Sequence, residues 1–379
     1  MSLTRVLDPA PGLRARSREA ASRMPWSPSD RTWPIHATAR AVVTHLYLPA
    51  VVLACVTAWL VVMGVTALRR AGELNSVIAG SRTELAGPVV VGFVLVALSC
   101  ECLWPAESRT VLARGLVQDG CFFLLFATVM APFVSILGVA SEGLLHHYAP
   151  FLAASFAASW PRWLVVGVTL VSMDGCNWLA HVADHRFTSL WRVHALHHSQ
   201  EELSVLTTFR THPLVHTVSF VAATVPVVVW MDGRSIAPGL VTLYLCLTAL
   251  PHANVSWSFG PLGKILVSPA YHRLHHAMDR NGDVNFGIVF VCWDMLARRA
   301  VFPERGGTVC RIGIPGRPLP VEQAPRRPRP VLVLALQLVE PFGLPSRPGN
   351  APGAGIAPRP ARRHRAKLCQ PKTTRRQRT

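Results

Sequence analysis

The sequence predicts an all-α protein: a multi-pass transmembrane helical bundle of four to six spans, with a cytosolic, histidine-rich helical cap. Three observations predict it. Half of the 379 residues are hydrophobic and only 15% are charged, which is low for a soluble protein. The apolar residues gather into runs, several near the length of about 20 residues that a helix needs to cross a bilayer. Eight histidines fall in three tight clusters beside those runs: His181 and His185; His194, His197 and His198; His272, His275 and His276.

The elements follow in order. Residues 1–40 form a basic leader, with seven arginines against Asp8, Glu19 and Asp30. Residues 41–302 read as the membrane domain. Val42 to Leu68 is long enough to span and is closed by Arg69 and Arg70. Pro88 to Leu103 is shorter, carries Glu101, and reads as spanning or re-entrant. Cys121 to Ala140 is a third run. Trp163 to Met173 is a fourth, and it continues as a helix through Leu179 into the first histidine cluster. Leu214 to Met231 and Gly239 to Val255 form an antiparallel pair about the turn residues Asp232, Gly233 and Arg234. Residues 303–379 are a Pro- and Arg-rich tail with sixteen Arg and Lys against three acids. Its one apolar stretch, Val331 to Leu338, reads as a short surface-bound helix.

Charge and topology agree. The net charge of +18 resides mainly in the two ends, which are poor in aromatic residues and read as disordered. Few aromatic rings interleave with the basic residues, so no specific nucleic-acid partner is expected. Basic ends flanking an apolar core fit the positive-inside rule. Four candidate spans precede His181 and two lie between His198 and His272. Both termini and all three clusters therefore share one face, and the charge makes it cytoplasmic. Arg69 and Arg70 then fall on the outer side. The nine cysteines are scattered without a CxxC and read as small buried hydrophobes.

The clusters have the spacing of metal ligands. His181 and His185 are i and i+4 on a helix and share a face. In each HxxHH, all three rings project from one side of a turn, and the adjacent pair diverges enough to serve two metals. Eight such residues are too many for one mononuclear site, so the spacing suggests two metals close together. Imidazole ligation suits Fe, Zn, Cu or Ni. The isolated histidines are not read as ligands: His36 and His364 lie in the ends, His45 in the first run, His146 and His147 on the opposite face, and His216 at a helix start.

Flanking residues extend the pattern. Leu190-Trp191 precedes the second cluster and Ser199 follows it, Asn285-Phe286-Gly287 and Trp293-Asp294 follow the third, and Arg210-Thr211-His212-Pro213 lies between. With these, residues of about 90–300 resemble the fatty acid hydroxylase/sterol desaturase superfamily. The resemblance implies a non-haem centre of two iron ions that uses O₂ as co-substrate to hydroxylate or desaturate a lipid C–H bond. It implies His252 as a ninth ligand, beside His181, His185, His194, His197, His198, His272, His275 and His276. Asp174 and Asn285 are supports by the same comparison, and His212 is a support rather than a ligand. Electrons are expected from a separate donor protein or reductase, since no fused cytochrome or nucleotide fingerprint appears. The lipid is expected to enter from the bilayer past Phe151–Met173 and Leu214–Val255. Asp184 departs from the pattern, and reads either as a partner orienting a ligand imidazole or as a solvated helix residue. Val182, Met295-Leu296-Ala297 and Ser256 also depart from it, which bears on subfamily and substrate.

Two other classes compete. A metal transporter should carry its ligands within the spans, whereas these clusters lie at span ends. A catalytically silent relative that binds only metal or lipid would keep the same boxes and is separated by O₂ consumption.

Overall fold

The computed structural model describes residues 48–107, 115–152, 155–231, 239–278, 283–303, 308–314, 330–339 and 369–371. The basic leader and most of the tail lie outside them. Five helices are long and apolar enough to cross a membrane, and a shorter apolar helix follows them. Their outward faces carry large exposed apolar side chains, among them Val62, Val96, Leu124 and Leu179. Such a surface suits lipid rather than water.

Helix α1 (Leu48–Ala71) starts beside the histidine layer, where Leu53 and Ala54 pack on Val193, Leu214 and Val215, and it ends at Arg69 and Arg70. Helices α2 (Leu74–Ala86) and α3 (Pro88–Leu103) return as one 30-residue span. The second run is thus longer than its apolar part, because Asn75, Ser81, Arg82 and Glu84 dilute the first half. The break falls at Gly87-Pro88, where proline lacks the N–H to continue a helix but suits the first position of a new one. Glu101, at the end of this span, accepts the Val205 N–H at 2.6 Å and so anchors the loop after the second cluster.

Helix α4 (Leu116–Leu125) passes through a π turn (Phe126–Met130) into α5 (Ala131–Tyr148). Pro132 supplies no N–H to the preceding turn. The carbonyl of Thr128 instead accepts from Arg82 Nη2 of α2 at 3.2 Å. Helix α6 (Arg162–Arg186) runs into the first cluster, as its unbroken pattern predicts. Phe187 is extended, and the chain turns into α7 (Thr188–His198). Helix α8 (Pro213–Met231) leaves the histidine layer, packed along α6. Helix α9 (Leu240–Ala249) brings the chain back and ends in a 3₁₀ turn at His252. With α9 counted, six apolar segments alternate in direction.

Short elements close the layer: α10 (Pro269–His275), α11 (Cys292–Leu296), a strand β1 (Thr308–Cys310) and α12 (Pro330–Val339). β1 pairs antiparallel with β2 (Cys369–Pro371). Helix α12 docks on α4 and buries Val333 and Gln337, so the apolar stretch of the tail packs on the membrane domain. Among the described residues seven cysteines are free, but Cys55, Cys102 and Cys292 of these are exposed and Cys310 is disulfide-bonded, so the nine are not uniformly small buried hydrophobes.

One buried ion pair joins α4 to the loop that follows α7. Arg210 Nε donates to Asp119 at 2.5 Å with both side chains fully buried, and Gln200 and Thr207 donate to the same carboxylate. Removing one member of such a pair strands the other charge. Asp119→Ala should destabilise the protein by about 3–5 kcal/mol, read as a lowered Tm in detergent, while Asp119→Glu should lose less. An unchanged Tm for the alanine variant would contradict this role.

Candidate metal centre

The nine histidines expected as ligands are all buried. They fall into two groups: His181, His185, His194, His198 and His275; and His197, His252, His272 and His276. Within each group, one nitrogen from every ring lies within 4.8 Å of the others. Helical geometry explains the division. In each HxxHH, the i and i+4 rings stay together, and the i+3 ring crosses to the other group. His197 leaves His194 and His198; His275 leaves His272 and His276. The two HxxHH turns thus exchange one ring each, and the stacked rings of His198 and His276, 4.4 Å apart, bring the groups together.

Backbone carbonyls orient two rings. His181 Nδ1 lies 2.9 Å from the Phe286 carbonyl, and His275 Nδ1 lies 2.8 Å from that of Val284. A ring whose Nδ1 donates presents a lone pair at Nε2. His275 Nε2 is buried without a hydrogen-bond partner among the described residues, which leaves its lone pair directed at the neighbouring rings. Elsewhere Nε2 atoms face one another at 3.1 Å (His185–His198, His197–His252, His252–His272). Burial first, then neighbouring imidazoles, push His194, His197, His198, His272 and His276 well below the usual imidazole range. Neutral rings with converging lone pairs are the donor set a cation needs.

A second layer of carboxylates holds the rings' supports. Asp294 accepts from Phe286 N–H at 3.0 Å, Gly287 N–H at 2.7 Å, Trp178 Nε1 at 2.9 Å and the Tyr271 hydroxyl at 2.9 Å. It ties α6, α10 and the loop that carries the Phe286 carbonyl. Asp174 accepts from Val289 N–H at 3.0 Å, Phe290 N–H at 3.1 Å and Trp293 Nε1 at 3.0 Å. The Trp293 indole lies so close to α6 that a Cβ on Gly175 would meet it at 2.9 Å. Asn285 takes a left-handed backbone, φ 58°, a conformation asparagine tolerates better than most residues. Its amide donates to the Tyr271 and Val301 carbonyls at 2.8 and 2.9 Å. Asp174 and Asn285 therefore act on loop backbone and on Trp293, with no bond to a ligand ring.

The remaining expected residues divide. His212 stands outside both groups. Its Nδ1 accepts from Leu214 N–H at 3.1 Å, and Nε2 contacts the Leu338 carbonyl of α12 at 3.0 Å. Asp184 is 2% exposed, so it is not a solvated helix residue. It lies 3.8 Å from His194 Nδ1, beyond hydrogen-bonding distance. Sequence reasoning gave no role to Asp294 or to the Asp119–Arg210 pair. The Trp-Asp dipeptide after the third cluster was the signal for the first.

A cavity of about 510 Å³ opens from the rings of His181, His194, His197, His252 and His272 into the bundle. Its walls come from α5 and α2 as well as from α6, α8 and α9. Val134 and Val139 of the third apolar run line it, and Phe151 does not: that residue is 79% exposed.

These features define a multi-pass membrane protein with two groups of buried imidazoles, each able to hold a metal ion. Residues 165–298 match the fatty acid hydroxylase family. The chain is 31% identical over 221 residues to an ornithine lipid hydroxylase of Rhizobium tropici, an alignment spanning 55% of this chain and 60% of that protein. It is 27% identical over 134 residues to the alkylglycerol monooxygenase of Caenorhabditis elegans and 29% identical over 127 residues to that of Homo sapiens. Those alignments cover 34% and 32% of this chain, and 25% and 27% of the two relatives. No solved structure matches. Over residues 165–298 the chain is therefore similar to the fatty acid hydroxylase family, and it spans 60% of the length of the ornithine lipid hydroxylase and about a quarter of the length of the two alkylglycerol monooxygenases.

Replacing a ring of either group should release metal, whereas replacing His212 should not. Metal analysis of full-length protein is expected to show a loss for His185→Ala and for His252→Ala, and native content for His212→Ala. Metal lost equally in all three would mean that the rings act only through folding.

Proposed function

We propose that the protein is a membrane-bound di-iron oxidoreductase that hydroxylates a lipid C–H bond with O₂. The observation that carries this reading is the pair of buried imidazole groups at the end of a cavity walled largely by apolar helices. His181, His185, His194, His198 and His275 would hold one iron, and His197, His252, His272 and His276 the other. When bound, the iron pair supplies O₂ activation and an oxidant for an unactivated C–H bond. One oxygen atom enters the C–H bond and the other leaves as water, with two electrons and two protons from an external donor.

The chain's own residues do the rest. Asp294 and Asp174 fix the loops whose carbonyls orient His181 and His275, so ligand geometry is set before substrate arrives. The walls of α5 and α8 hold an acyl or alkyl chain and keep water from the centre. The relatives named as hydroxylase and monooxygenase favour oxygen insertion over desaturation. The histidine layer faces the cytoplasm in this reading, because α1 begins there, α12 docks there, and both ends of the sequence are basic. A separate, acidic electron donor suits that charge.

The test supplies purified protein with iron, a reductant, isotope-labelled O₂ and a lipid panel that includes ornithine lipids and alkylglycerols. The expected product is a lipid that has gained one labelled oxygen atom, absent with His275→Ala. A lipid that loses two hydrogens without gaining label would make the protein a desaturase. Two bound irons with no O₂ consumption across the panel would make it a silent relative.

A further inference from the structure

The carboxyl groups in the largely apolar cavity wall are unexpected in a basic protein. Three carboxyl groups line it, Glu84, Glu142 and Asp184, and no Lys or Arg is among the described lining residues. The chain as a whole has 38 Lys and Arg against 20 Asp and Glu. Glu84 and Glu142 are partly exposed, and Glu142 lies 3.8 Å from His146, so the cost of burying a carboxyl group falls on Asp184.

Asp184 carries the argument further. It is 2% exposed, and its Oδ1 has no hydrogen-bond partner. A buried acceptor left unpaired is unfavourable, so a group that supplies its donor is bound preferentially. The residue sits one position before His185 and shares the cavity wall with His181 and His194. We propose that Asp184 is a specificity-determining residue that binds the cationic amine of an amine-bearing lipid substrate, beside the histidine cage. The carbon that is oxidised then lies near that amine, while the hydrocarbon chain extends along α5 and α8.

This inference rests on the reading of the cavity as the substrate site, but its test needs no turnover. Full-length protein in phosphatidylcholine nanodiscs is titrated with labelled hexadecylamine and, separately, with the neutral hexadecanol, each corrected for empty nanodiscs. The native protein should bind the amine about tenfold or more tighter than the alcohol, as expected for a desolvated charge pair. Asp184→Asn should bring the two within about twofold with its iron content unchanged, and Glu142→Gln should keep the preference. Equal binding by the native protein overturns the proposal without using a variant. So does a preference that survives Asp184→Asn, one that disappears in Glu142→Gln instead, or loss of iron from Asp184→Asn. Failure of lipid oxidation alongside a preserved amine preference would count against the oxidoreductase reading, and not against the amine site.

Discussion

Nine neutral imidazoles, buried together where water does not reach, are the constraint on which the rest of this structure depends. Each buried ring nitrogen without a partner costs about 1–3 kcal/mol, and several have none among the described residues. Only a fold that holds the rings firmly from outside can keep them converged. The chain does this with carboxylates placed one layer out. Asp294 gathers four donors from three segments, and Asp174 holds the loop that follows the third cluster. The carbonyls of Phe286 and Val284 are thereby fixed against His181 and His275. Loss of Asp294 would free a loop before it freed a ligand.

The bundle serves the same end. The rings come from the ends of α6, α7, α9 and α10, so the chain must return to one face after every excursion through the apolar layer. The Glu101 contact to Val205 and the Asp119–Arg210 pair secure the segment between the second cluster and α8. Both acids sit at the histidine ends of their helices, which places the charges outside the most apolar depth. The cavity then connects the ring layer to the interior of the helical bundle.

The parts of this arrangement that were legible in the sequence were local. The i, i+4 spacing of His181 and His185, and the divergence of neighbours within HxxHH, follow from 3.6 residues per turn. The grouping of the rings obeys that rule. The apolar runs located α1, α5, α6 and α8 because burial in lipid demands length and hydrophobicity in one stretch. What was not legible was long-range or diluted. His252 is a lone histidine after an apolar helix, and only the family resemblance singled it out. Helix α2 was missed because Asn75, Ser81, Arg82 and Glu84 interrupt its apolarity, although Arg82 is there to satisfy a carbonyl freed by Pro132. Asp119 and Arg210 are far apart in the chain, and no spacing rule joins them. The wall of the cavity depends on how α2 and α5 pack, which no pattern in either helix reports.

The most direct test of the account is the iron stoichiometry of the native full-length protein, expressed with iron and purified in detergent. Two irons per chain are predicted, one for each imidazole group. One iron per chain, or none with the fold intact, would contradict a dinuclear centre built from these nine rings.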